Sequence, residues 1–251
     1  MQIQRNTYVI FGVVLLTTVF SFSTQSGQRP KKPTTPQDSS SKAQESRLSF
    51  PAADYQEKEP VDPIQRAKRK EKQKRYDNFH QVMRDPDPND AEIAVLMDHG
   101  PQLPPLPTDQ SKAIIVGVVE SVEAHLSENK KNVYSEFTVR IKDVLKSDTS
   151  LRPDSLMTID RQGGFVKYPN GQQVLYRFVG HTMPRVGERY VFFLEHVAED
   201  YRILTAYELS EKGITPLDEL EQFQGFRGRD ETTLLNTLRD SLGRPTPHQE
   251  Q

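Results

Sequence analysis

The sequence predicts a mainly β protein, a small closed or partly open barrel with a helix at its C-terminal end. Three observations support this fold class. From residue 113 onwards, apolar residues recur with the period of two that is typical of strands. Turn residues divide this region into short segments at intervals of about ten residues, without a helical pattern between them. Near the C-terminus the period changes to that of an amphipathic helix.

The first strands follow from their apolar patterns. Residues 113–119 (AIIVGVV) form a continuous apolar run, which is typical of a strand buried on both faces. Residues 133–142 alternate between apolar and polar side chains and predict a half-buried strand. Asn170-Gly171 predicts a hairpin turn, because this pair tolerates positive φ. The other strands are predicted at residues 156–159, 165–168, 174–179, 189–194, 202–207 and, as a short edge, 213–217.

The C-terminal helix is predicted to begin after Asp230, which can accept hydrogen bonds from the first turn as an N-cap. One face of this helix is apolar, and we expect it to pack across a barrel mouth or an open edge. Its apolar residues are Leu234, Leu235, Leu238 and Leu242. Gly163-Gly164 predicts a bulge or a close approach where the barrel turns a corner.

The N-terminal sequence predicts that the protein is exported. Arg5 precedes a run of 15 almost entirely apolar residues, 8–22, and polar sequence follows. This pattern is typical of a signal peptide, while a spanning helix needs about 20 residues. Residues 1–23 are therefore a cleaved signal peptide, the favoured alternative, or a retained membrane anchor through residues 8–22. In the second case the protein is a single-pass membrane protein with its C-terminal domain outside the cytoplasm.

The remaining chain divides by composition. Residues 24–61 are rich in Ser, Pro, Gln and Lys and predict a disordered linker. Residues 62–107 predict a basic helical neck, with helices opening at residue 62 and over 91–97, and a Pro-rich connector over 101–107. Residues 108–243 form the predicted barrel domain with its C-terminal helix. Residues 244–251 are predicted to be a disordered tail.

Composition excludes several kinds of function. The chain has no cysteine, which excludes disulfides, thiol catalysis and thiolate metal sites. Residues 1–85 carry 15 Lys and Arg against 9 Asp and Glu, a net charge of +6, and the rest carries 18 against 26, a net charge of −8. An acidic domain is a poor electrostatic match for nucleic acid. We therefore expect an envelope protein or a ligand as partner, and no nucleic acid.

Six motifs of the barrel region occur together: Val116–Val119, Val133–Val139, Asp143–Lys146, Arg161–Gly164, Met183–Gly187 and Tyr190–Leu194. On these motifs, residues 115–217 resemble a family of uncharacterised exported bacterial proteins. The resemblance implies an OB-like antiparallel barrel, similar to that of netrin and metalloproteinase-inhibitor modules, and a location in the periplasm or cell envelope. It implies neither an activity nor a cofactor. The inhibitor modules depend on an N-terminal cysteine, which this chain lacks.

No catalytic or metal-binding motif is recognisable. The sequence has no G-x-S-x-G elbow and no S-x-x-K, and no two of its six histidines stand three or four residues apart. We therefore name no catalytic residue, no metal ligand and no cofactor. An enzyme with a dispersed site, hydrolytic or metal-dependent, remains the alternative. In that case His125, His181 and His196 are candidate ligands from different strands.

Aromatic and cationic residues concentrate on the predicted hairpin, and this mixture is typical of OB folds that stack single-stranded nucleic acid. The predicted export argues against nucleic acid as the ligand here. The residues are Phe165, Lys167, Tyr168, Tyr176 and Arg177. They are the predicted binding surface of a non-catalytic binding or scaffolding module. Cross-strand aromatic pairing is the alternative explanation for the same residues.

The basic run at residues 66–75 (RAKRKEKQKR) predicts a second surface. Four of its cations are candidates for contact with anionic lipid or an acidic partner. They are Lys68, Arg69, Lys70 and Lys72. The alternative is a solvated helix that keeps the neck soluble.

Overall fold

A computed structural model describes residues 50–77, 81–82, 93–97, 102–148 and 150–243. The predicted export segment, the predicted linker up to residue 49 and the predicted tail lie outside these residues. None of the helices within the described ranges is long and apolar enough to cross a membrane.

The described residues form eleven strands, two α-helices and one 3₁₀ helix. The strands are β1 (Ala52–Asp54), β2 (Gln81–Val82), β3 (Ile93–Met97), β4 (Ala113–Leu126), β5 (Val133–Ser147), β6 (Leu156–Gln162), β7 (Gly164–Lys167), β8 (Gln173–Phe178), β9 (Arg189–Val197), β10 (Asp200–Ser210) and β11 (Gly213–Pro216). The α-helices are α1 (Pro63–Arg75) and α2 (Glu231–Gly243), and the 3₁₀ helix spans Glu221–Phe226.

Five strands close into a ring in the order β4-β5-β6-β10-β9, with β9 paired back to β4. Every neighbouring pair in the ring is antiparallel except β6 and β10, which run parallel. A five-stranded Greek-key ring of this kind is an OB-like barrel. The predicted mainly β fold with an OB-like barrel and a C-terminal helix is thus confirmed.

Both faces of β4 are buried, which explains its continuous apolar run. Ile115 and Val119 lie in the core inside the ring, together with residues of the other four ring strands. Ile114 and Val116 point the opposite way and pack with Leu234 and Leu238 of α2. Helix α2 therefore covers the outer face of β4, β9 and β10. The expectation that it crosses a barrel mouth or an open edge is wrong, because alternation places a second apolar layer outside the ring.

A second sheet has the order β1-β7-β8-β3-β2. Its centre is the antiparallel hairpin β7–β8, which confirms the prediction from Asn170-Gly171; Gly171 has a φ of 85°. Strand β1 adds to β7 and β3 adds to β8, both in parallel. Two expectations are corrected here. The sequence predicts a disordered linker over 24–61 and a helical patch over 91–97, and the structure has strands at 52–54 and 93–97.

The two corrected segments have a common physical cause. An exposed hairpin edge presents unpaired N–H and C=O groups, and an extended segment that pairs with them satisfies both partners. A short apolar run such as IAVLM is compatible with a strand as well as with a helix, so its pairing partner decides. That partner, β8, lies about 80 residues further along the chain and leaves no local signal.

Gly163 connects the barrel strand β6 to β7 of the second sheet, and Gly164 is the first residue of β7. Their φ values are 117° and 143°, in the region that favours glycine. A Cβ atom on Gly163 would lie 2.6 Å from Met183 Cε and 2.9 Å from the carbonyl oxygen of Tyr176. The predicted close approach at this corner is therefore confirmed.

Candidate functional site

A cavity opens where β6 and β10 separate. The two strands pair over only two positions, Ile159 with Tyr201 and Asp160 with Arg202. Two residues after Arg202, a bulge at Leu204 shifts the register between β10 and β9. A bulge bends its strand, and here it lies beside the position where β10 leaves β6. The resulting cavity has a volume of about 640 Å³, in the range of small-molecule sites.

Apolar side chains form most of the cavity wall. They come from β10, from the end of β8, from the 3₁₀ helix and from the connector before β4. The principal ones are Leu103, Phe178, Ile203, Leu204, Leu220 and Phe223. The polar part of the wall consists of Arg161, Gln162, His181, Glu195, Arg202 and two glutamines at the rim, Gln102 and Gln222. Apolar walls with a few fixed polar groups are the usual composition of a ligand site.

Arg161 is the most buried charged group of the cavity, with only 2% of its surface exposed. It occupies an inward position of β6, two residues after the core residue Ile159. Its Nη2 donates to Asp218, which is fully buried. The hydroxyl of Thr205 donates to the other carboxylate oxygen of Asp218 at 2.8 Å. The guanidinium is therefore held in a fixed orientation.

The remaining nitrogens of this guanidinium are not satisfied. Arg161 Nε and Nη1 have no hydrogen-bond partner among the described residues. A buried donor without an acceptor costs about 1–3 kcal/mol, so such groups are uncommon in folded proteins. Both nitrogens are shielded from solvent, so they do not open to the cavity.

Arg202 connects the cavity to a cluster of charges beneath α1. Its guanidinium lies 3.5 Å from Glu195 and 3.8 Å from Asp160. It also lies over the ring of Tyr76, 5.5 Å from the centroid. Tyr76 directly follows α1 and stacks on Tyr134 of β5, with 4.3 Å between ring centroids.

Lys72 of α1 is the centre of this ionic cluster. Its Nζ lies 2.8 Å from Glu136, 3.1 Å from Asp160 and 3.5 Å from Asp200. Burial would lower the pKa of Lys72, but the three carboxylates raise it above its usual value. Burial raises the pKa of Asp160, although Lys72 partly offsets this effect. Helix α1 is therefore packed on the barrel by buried charges, whereas the sequence predicts a neck separate from the domain.

The structure does not bring the predicted hairpin residues together on one exposed surface. Phe165 and Tyr176 are buried, the first in the barrel core. Tyr168 stacks on Tyr55 of the β1 end, and its hydroxyl lies 3.1 Å from that of Tyr176. Lys167 is exposed and Arg177 is half-buried. Contacts within the second sheet account for Tyr168 and Tyr176, and packing in the barrel core accounts for Phe165.

The four neck cations have different surroundings. Lys72 is buried in the ionic cluster, so it does not face a lipid surface. Arg69 donates to Glu57 at 2.7 Å, and Lys70 lies 3.2 Å from Glu128. Lys68 is exposed. Contact of the latter three with anionic lipid stays a prediction, and two of them already have a carboxylate partner.

The candidate histidines lie in separate places. His125 is buried with its Nδ1 3.2 Å from Glu57, and His181 lines the cavity. His196 stacks on Tyr201, with 4.9 Å between ring centroids. Within the described ranges, no group of three or more histidines and carboxylates has a geometry that could hold a metal ion.

The lowered pKa of Glu57 predicts that the stability of the protein depends on pH. Burial would raise its pKa, but the hydrogen bond and charge of His125 and the charge of Arg69 lower it below 4.5. Because the folded pKa lies below the unfolded one, the stability that Glu57 contributes is present above pH 4.5 and is lost as the pH falls through the folded pKa. We expect Glu57→Gln to destabilise the protein at pH 7 and to have a smaller effect at pH 3.

Urea unfolding at the two pH values measures this difference. Glu59→Gln is the control, because Glu59 lies on the same segment and pairs with Arg66 at the exposed surface, at 3.4 Å. An equal effect of Glu57→Gln at both pH values would show that its charge makes no contribution to stability.

No protein-family model matches this chain, and no curated protein matches it. The function is therefore inferred from the cavity and its charges.

Proposed function

We propose that the chain is a non-catalytic binding module that holds a small, mainly apolar ligand in the cavity between β6 and β10. The observation that carries this proposal is a cavity of about 640 Å³ with mainly apolar walls and a few fixed polar groups, Arg161 among them. A volume of this size accommodates a ligand with a sizeable apolar body, and burial of that body supplies the binding free energy.

The charges around the cavity favour binding over catalysis. Arg161 is held by Asp218, and Arg202 faces both Glu195 and Asp160. An arginine stays protonated and does not exchange protons with a substrate. Groups fixed in this way orient a ligand, which is the function that a binding module requires.

We propose further that the protein works outside the cytoplasm, in the periplasm or cell envelope. The apolar segment 8–22 and the resemblance to exported bacterial proteins support this location. The mass of the mature protein tests it, because a cleaved signal peptide removes about 23 residues. An intact, full-length protein free in the cytosol would contradict it.

A neutral fluorescent probe tests the binding function. N-phenyl-1-naphthylamine fluoresces strongly only in apolar surroundings, so its titration reports an accessible apolar cavity. We expect saturable binding to the wild-type protein and at least a tenfold loss of affinity in Val179→Trp. Val179 lies on the wall and is 40% exposed, so an indole ring at this position fills the cavity without entering the core.

Val186→Trp is the matched control, because Val186 is similarly exposed, at 53%, and does not line the cavity. This variant should bind the probe as the wild type does. Absence of saturable binding to the wild type, or equal affinities of the two variants, would contradict the proposed function.

A further inference from the structure

We propose that the outer face of helix α1 binds an anionic membrane surface. This face consists of Val61, just before the helix, and of the helix residues Ile64, Ala67, Lys68, Lys70 and Lys74. None of these residues lines the cavity between β6 and β10, so the proposal does not depend on a ligand there. It follows from two separate observations, one on exposed apolar side chains and one on the distribution of charge.

Two apolar side chains at the start of α1 are not packed against the domain. Val61 is 91% exposed and Ile64 is 69% exposed, the highest values among the large hydrophobic residues of the described ranges. Helix propensity does not explain Ile64, because a β-branched residue is a weaker helix former than Ala or Leu. A solvated helix thus explains the lysines of this segment but not these two residues. A membrane interface removes such side chains from water, which is favourable.

The docking of α1 leaves the outer face directed towards solvent. Lys72 holds the opposite side of the helix on the barrel. Ala67 and Lys68 follow Ile64 by three and four positions, so they lie beside it on the exposed side. Lysine next to exposed apolar residues is typical of interfacial helices, because its aliphatic stem reaches past the apolar boundary to the head groups.

The charge at this surface is complementary to anionic lipid. Apart from Lys72 and Arg75, which bind carboxylates of the barrel, α1 carries five cations and one carboxylate. When the bordering residues 57–62, 76–77 and 127–131 are included, eight Lys and Arg stand against six Asp and Glu. The chain after residue 85, by contrast, has a net charge of −8. An anionic membrane therefore attracts the outer face of α1 and repels the rest of the domain, which orients the protein.

A single tryptophan in the full-length protein tests this contact, because the chain contains no other tryptophan. The emission of Ile64→Trp moves to shorter wavelength when the indole ring leaves water. We expect this shift with vesicles of phosphatidylglycerol and phosphatidylcholine in equal parts, and no shift with phosphatidylcholine alone. The indole reports only its own surroundings, so contact of residues 8–22 with lipid does not produce the signal.

Val186→Trp is the matched control for the position of the reporter. Val186 is 53% exposed and lies before the start of β9, whereas Arg75 of α1 donates to the carbonyl of Val197 at the other end of this strand. The emission of Val186→Trp should be the same with both kinds of vesicle. The proposal is overturned if Ile64→Trp shows no shift with the anionic vesicles, an equal shift with the neutral ones, or the same shift as Val186→Trp.

Substitution of three lysines in the Ile64→Trp protein tests the role of charge. We expect the lipid concentration at half of the maximal shift to rise at least tenfold when the lysines of the outer face are neutralised. The substitutions are Lys68→Gln, Lys70→Gln and Lys74→Gln. The control removes the same charge from exposed lysines outside α1 and should leave this concentration unchanged. Its substitutions are Lys112→Gln, Lys142→Gln and Lys212→Gln. Equal effects of the two sets would show that net charge, and not this face, attracts the lipid, which contradicts the proposal.

Discussion

Lys72→Met should lower the free energy of unfolding by about 3–5 kcal/mol, the usual cost of removing one partner from a buried ion pair. The substitution keeps the aliphatic stem of the side chain and removes only the ammonium. It leaves Asp160 buried and takes away a cation that three carboxylates share. Urea unfolding at pH 7, followed by circular dichroism, measures the change.

Lys70→Met is the matched control on the same helix. The side chain of Lys70 is 58% exposed, against 9% for Lys72, and it lies 3.2 Å from the single carboxylate of Glu128. An exposed pair contributes about 0–1 kcal/mol. The double variant Lys72→Met/Asp160→Leu should recover part of the loss, because it removes the stranded charge. Equal effects of Lys72→Met and Lys70→Met would show that the cluster does not hold α1 on the barrel.

We expect Gly163→Ala to cause the second large decrease in the free energy of unfolding. A positive φ costs a residue with a Cβ about 1–3 kcal/mol, and Gly163 has a φ of 117°. Overpacking adds about 1–3 kcal/mol, because the new methyl group would overlap Met183 Cε and the carbonyl oxygen of Tyr176. Backbone atoms of β8 cannot move aside as a flexible side chain does, so the corner between the two sheets would have to open.

Gly171→Ala separates the two contributions to this effect. Gly171 also has a positive φ, 85°, but no atom of the described residues lies within 4 Å of a Cβ added there. Gly171→Ala should therefore lower the free energy of unfolding only by the cost of the positive φ, about 1–3 kcal/mol. Thermal or urea unfolding of both variants gives the difference. If Gly163→Ala is no more destabilising than Gly171→Ala, the close approach at the corner has no energetic role.

The barrel could be predicted from the sequence because its signals are local. Alternation in β5 and the continuous apolar run of β4 both follow from which faces the ring buries. The N-terminal strands were not predictable in the same way. Their pairing partners β7 and β8 lie far along the chain, and the polar residues around β1 suggest a linker.

The candidate site was the least predictable part. The predicted binding surface was the hairpin, because aromatic and cationic residues concentrate there. In the structure, Phe165 and Tyr176 of this hairpin are core residues. The cavity instead arises from the divergence of β6 and β10, which is a property of the pairing and not of a motif. One local signal was present: Arg161 follows Met157 and Ile159 at inward positions of β6, and a cation at such a position needs a partner or a function.

The docking of α1 has a consequence for how the protein is made. Helix α1 takes its buried ionic contacts from β5, β6 and β10, and Arg75 binds Asp200, 125 positions later in the chain. Such pairings give a high contact order, which slows folding. During synthesis, the basic segment leaves the ribosome long before its acidic partners exist. Until the nascent chain has grown past residue 200, this segment is available to chaperones.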